Sequence, residues 1–87
     1  MPFELPLPSG LNDGTWKVKI SEKETVEPPH VTIIRRTDRW RVNLRTMKFM
    51  DKKPPSRDVP QELVEHITAK RDELVKQWNA KYPLNPV

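Results

Sequence analysis

Apolar and polar residues alternate from Thr15 to Ile20, which puts Trp16, Val18 and Ile20 on one face and Lys17 and Lys19 on the other. A period of two marks a half-buried strand. The alternation returns in Val31 to Arg36 and in Arg39 to Leu44, and it predicts a hairpin joined across Thr37-Asp38. With a loop of two or four residues, Val31 faces Leu44, Ile33 faces Val42 and Arg35 faces Trp40. That registry gathers Val31, Ile33, Trp40, Val42 and Leu44 inside and leaves Thr32, Arg36, Arg39, Arg41 and Asn43 outside, with Ile34 the exception. A three-residue loop would turn the apolar set to solvent. Because Thr37-Asp38 is not an Asn-Gly type of turn, four residues are favoured. Met47 to Met50 reads as a short fourth strand with Phe49 inward.

After the strands the period changes. Leu63, Val64, Ile67, Leu74, Val75 and Trp78 recur at helical spacing, interrupted by Arg71 and continued by Tyr82. One helix from Val59 to Lys81 is predicted, with Asp58 as N-cap, Pro60 in its first turn and Gln61 three positions after the cap. It would run roughly 33 Å at ~1.5 Å per residue, and Tyr82-Pro83 ends it. Residues 1–14 form an extended leader with a turn at Asn12-Asp13-Gly14, residues 15–82 a single domain and residues 83–87 a tail. Ser21 to Glu27 is a polar loop, and Asp51 to Arg57 is a basic connector containing prolines. Strands first and a helix last predict an α+β fold: a three- to four-stranded antiparallel meander packed on one long C-terminal α-helix.

A chain of 87 residues makes one domain with a thin core, since this size buries only about 60 to 65% of its unfolded surface. Charged residues, at 32%, nearly equal the 34% that are hydrophobic, yet three tryptophans argue for a folded core. The absence of cysteine removes disulfides, thiolate metal sites and cysteine nucleophiles. Met1 to Pro6 has neither a basic n-region nor an apolar run, so a soluble cytoplasmic protein, monomeric or weakly dimeric and away from membranes, is expected. Charge is uneven: residues 32–57 carry nine Lys/Arg against two Asp/Glu, while the flanks are slightly acidic. Such a block attracts phosphate or an acidic partner. The plainer alternative is that the arginines only solubilise the outer face of the sheet.

Candidate chemistry begins at Glu27-Pro28-Pro29-His30, where two stiff prolines deliver a histidine to the rim of the arginine row. His30 is the candidate catalytic residue, as general base or phosphate contact. For a metal its only companion would be His66, on the helix beside Glu62 and read as solvated, so neither metal nor cofactor is expected. The two glycines, Gly10 and Gly14, make no phosphate-cradling loop, and Ser9, Ser21 and Ser56 lack a nucleophile's context. For binding, the candidates are Arg36, Arg39, Arg41, Lys17, Lys19 and Lys48, with Arg45 near them and Arg35 over the Trp40 ring. Trp40 faces inward, so contact with nucleic acid would be to backbone and sensitive to salt.

Several of these segments together resemble a family of small bacterial proteins catalogued as a domain of unknown function. They are Ile20-Ser21, Glu27-Pro28-Pro29-His30-Val31, the strands through Phe49, and Arg71-Asp72-Glu73-Leu74 leading to Trp78-Asn79. The likeness covers about residues 16–82. Where that family commonly carries a second histidine, two residues after the first, this chain has Thr32. The resemblance implies a small accessory or toxin-like protein of the toxin–antitoxin kind.

Two functions are therefore expected to compete. One is a non-enzymatic binding module that presents a basic hairpin to nucleic acid or to a cognate acidic protein. The other is a minimal RNA-cleaving toxin that uses His30 with the neighbouring arginines.

Overall fold

The computed structural model describes residues 3–20 and 28–87. The polar loop, the Ser21 end of the first strand motif and Glu27 of the Glu-Pro-Pro-His element lie outside the described residues. Four strands, β1 (Phe3–Glu4), β2 (Lys17–Ile20), β3 (His30–Arg35) and β4 (Asp38–Asn43), form one antiparallel sheet in the order β1-β2-β3-β4. A single 3-10 turn, Ser56–Asp58, precedes two helices, α1 (Gln61–Ala69) and α2 (Arg71–Lys81). The class is α+β.

The strand at the sheet margin comes from the leader. Phe3 pairs with Ile20 and Glu4 with Lys19, the Leu5 amide donates to the Val18 carbonyl, and Leu5 and Leu11 join the core. At the opposite margin Met47 to Met50 contributes one bridge, Val42 to Phe49, flanked by the bonds Asn43 N–H to Lys48 O and Met50 N–H to Arg41 O.

The hairpin keeps its predicted faces and changes its registry. Val31 pairs with Val42, Ile33 with Trp40 and Arg35 with Asp38, so the loop is Arg36-Thr37. Relative to the expected pairing this is a slip of two residues, which leaves every side chain on the same face. Charge explains the choice. The expected registry sets Arg36 opposite Arg39, whereas the observed one brings Arg35 Nη2 to 3.5 Å from Asp38 Oδ2, and like charges directly opposite destabilise a pair of strands. The tight loop forces Arg36 into the left-handed region at φ 56.

The long helix is two helices. Lys70, at φ −100 and ψ 14, separates them, and Thr68 Oγ donates back to the Val64 carbonyl at 2.9 Å in the turn before the break, a bond that bends helices. Nor does Asp58 cap α1. The N-cap is Pro60 with no side-chain bond, and Val59 is extended at φ −87 and ψ 125, because a residue before proline is driven out of the helical region. Leu63, Ile67, Leu74 and Trp78 nevertheless bury the predicted stripe. They share one core cluster with Val18, Ile20, Val31, Ile33, Trp40, Val42 and Leu44. Arg71, which interrupts the stripe, reaches across to donate from Nε to the Leu44 carbonyl at 2.9 Å. Among the described residues no helix is long and apolar enough to cross a membrane.

Candidate functional site

Antiparallel registry sorts the polar side of the sheet into rows running across the strands. One row is Glu4, Lys19, Thr32 and Arg41, continued beyond β4 by Asp51. It neutralises itself. Lys19 Nζ lies 3.8 Å from Glu4 Oε1, and Arg41 grips Asp51 with both arms, Nε to Oδ2 at 2.9 Å and Nη2 to Oδ1 at 2.7 Å. These bonds hold the Asp51 carboxyl below the usual carboxylate range, the Arg41 hydrogen bond being the largest cause, with the nearby His30 a minor one. Lys19 and Arg41 thus each have a carboxylate partner within the fold.

The next row toward the turn is Lys17, Ile34 and Arg39, with Arg36 in the loop beyond. Lys17, Arg36 and Arg39 are all exposed. Among the described residues no carboxylate pairs with them. Two interstrand spacings separate Lys17 from Arg39 at the backbone, or about 10 Å. Lys17, Ile34 and Arg36 also line a shallow depression of about 510 Å³ whose far wall is Asp13, Gly14 and Thr15. Asp13 Oδ1 accepts the Thr15 amide at 2.9 Å, and this bond lowers its pKa. Gly14, at φ 93, takes the backbone conformation that closes this turn.

The remaining predicted residues go elsewhere. Lys48 is exposed but sits opposite Asn43, four residues along β4 from Arg39 and so about 13 Å away. Arg35 stacks over Trp16 at 5.0 Å and over Trp40 at 5.6 Å, as expected of it over Trp40. Arg45 donates to the Pro86 carbonyl at 2.9 Å.

His30 is not at the rim. Alternation gives it the parity of Thr32, yet it is 1% exposed, with its ring centroid 5.5 Å from that of Trp78. Its Nδ1 lies 2.9 Å from the Pro28 carbonyl, which only accepts, so Nδ1 carries a proton and donates. An imidazole so enclosed has no face open to a polymer substrate. His66 is not simply solvated either, because its Nε2 donates to the Pro6 carbonyl at 2.8 Å and ties the leader to α1.

Two contributors escaped the sequence reading. The Asp13-Gly14-Thr15 wall was visible only as a turn, because its approach to Arg36 depends on how β2 pairs with β3. Lys52 and Lys53, both exposed, lie in the connector that follows residues 47–50 at the margin of β4. Arg41 bonds Asp51 on one side of them, and Trp40 Nε1 donates to the Pro55 carbonyl at 3.1 Å on the other. Comparison of the chain with family models, with curated proteins and with solved structures finds no match.

Proposed function

We propose that this chain is a non-enzymatic binding module that presents the hairpin end of its sheet to an acidic partner. The observation that carries this reading is the unequal pairing of the two rows: one cancels its own charge, and the other leaves Lys17, Arg36 and Arg39 exposed without an ion pair among the described residues. The backbone of Arg36 adds support. A left-handed residue favours glycine or asparagine, and a charged side chain held there at φ 56 suits a contact outside the molecule better than the fold itself. The resemblance to toxin–antitoxin accessory proteins suits such a module, whose partner is then a nucleic acid or a cognate protein. The RNA-cleaving alternative rests on an imidazole that is buried and so has no comparable support.

Heparin, a generic polyanion, tests the reading without choosing the partner. The double variant Arg36→Glu/Arg39→Glu is expected to elute from a heparin column at much lower salt than the wild type, and the charge-matched double variant Lys48→Glu/Lys76→Glu, at exposed positions away from the row, close to it. Equal shifts for the two variants would show that only net charge matters and would end the proposal.

A further inference from the structure

We infer that the acidic partner is the sugar–phosphate backbone of a nucleic-acid duplex, laid across the strands along Lys17, Arg36, Arg39 and the Lys52-Lys53 pair; this rests on the polyanion-binding reading above. The first support is what the face lacks. Binding energy between proteins is concentrated in a few aromatic or other anchors that fill pockets, and single strands are held by exposed rings on which bases stack. Here Trp40 and Trp78 are fully buried, and Trp16 is half-buried beneath Arg35. Ile34, half-buried, is the apolar residue of the row. Cations without anchors or stacking platforms match a partner whose own surface is a dense line of charge.

The second support is placement. Lys17 on β2 and Arg39 on β4 flank Ile34 in one row, Arg36 stands beyond it at the turn, and the connector carries Lys52 and Lys53 along the margin of β4. Lys17 and Arg39 thus lie across the strands, Arg36 is offset from them toward the turn, and Lys52 and Lys53 follow outside β4. A duplex offers about one phosphate per 1.7 Å of axis, so a patch of cations spread across the strands meets phosphates at any register and needs no particular base sequence. Asp13, on the wall of the depression between Lys17 and Arg36, opposes a phosphate there.

The test is fluorescence anisotropy with three probes, a 20-base-pair duplex, the matching single strand and polyglutamate, over a salt series. With three to five phosphate contacts, the logarithm of affinity for the duplex is expected to fall against the logarithm of salt with a slope of about −2.7 to −4.5. Arg39→Ala should bring the slope about one unit closer to zero. Asp13→Asn, which still offers an acceptor to the Thr15 amide, should tighten binding about twofold through the lost repulsion. Lys76→Ala, on the exposed side of α2, should change nothing. If the single strand or polyglutamate binds as tightly as the duplex, or if Arg39→Ala leaves the slope unaltered, this inference is overturned while the polyanion reading stands. Failure of all three probes to bind overturns both.

Discussion

The indole of Trp78 stands 5.5 Å from the imidazole of His30, tilted by 50°, and closes the end of the sheet that the sequence presents as open. His30 is therefore expected to act in stability. Replacing it with alanine removes the donor to the Pro28 carbonyl and leaves a void beside the indole, for a loss of about 2–3 kcal/mol. Urea unfolding measures this, and heparin affinity of the folded variant should stay at the wild-type level. An unchanged unfolding midpoint with lost affinity would return His30 to the binding surface.

Asp51 makes stability depend on acid. Its folded pKa lies below its ordinary value because Arg41 bonds the ionised form, so its contribution is complete above the unfolded carboxylate pKa of about 3.9. That contribution disappears as pH falls through the lower folded value. With side chains 32% and 29% exposed, the pair contributes about 1 kcal/mol or less at neutral pH. Asp51→Asn should lower neutral stability by that amount and flatten the pH dependence below about pH 4. Thermal melts between acid and neutral pH follow both effects.

Three aspartates introduced into β4 separate face from pairing. Val42→Asp places a charge in the core and should unfold the domain. Arg39→Asp, on the exposed side, should fold normally. Arg41→Asp, harmless by alternation alone, sets a second carboxylate against Asp51 and should cost about 1–2 kcal/mol. Circular dichroism and denaturant curves rank the three, and equal tolerance of all would refute the assigned faces.

At Arg36 stability and binding are expected to move in opposite directions. Arg36→Asn relaxes the left-handed backbone at φ 56 and should stabilise the hairpin by about 0.5–1 kcal/mol. The same change removes a cation from the row, so elution from heparin should come at lower salt. A fall in stability would refute the strain assigned to Arg36, and unchanged affinity would refute the contact.

The strands and their faces were legible because period two survives a slip of two residues. Val31, Ile33, Trp40 and Val42 bury themselves in either registry, so the pattern could identify the core without identifying the partners. The observed registry sets Arg35 against Asp38, a pairing of which hydrophobic spacing carries no record. The helical stripe was legible for the same reason, and the break at Lys70 was not, since Thr68 bonding back to Val64 leaves the spacing of Leu63, Ile67, Leu74 and Trp78 intact. Proline was under-read in two places: at Pro60, where it keeps Val59 out of the helix, and in the leader, where Pro6 and Pro8 obscured the pairing of Phe3 and Glu4 with β2. The candidate site was half legible. Which residues are cationic is written in the chain, but which of them are spoken for depends on Glu4 and Asp51 arriving from distant segments.

The cancelled row bears on how the molecule would meet the partner proposed for it. Because Glu4 and Asp51 pair with the cations of the middle row, the exposed cations Lys17, Arg36 and Arg39 lie on the side of that row toward the Arg36 turn. For the polyanionic partner proposed above, attraction toward these cations would raise encounter rates at low ionic strength. Under that proposal, pairs that bind nothing themselves leave the turn end of the sheet as the end that would meet the partner first.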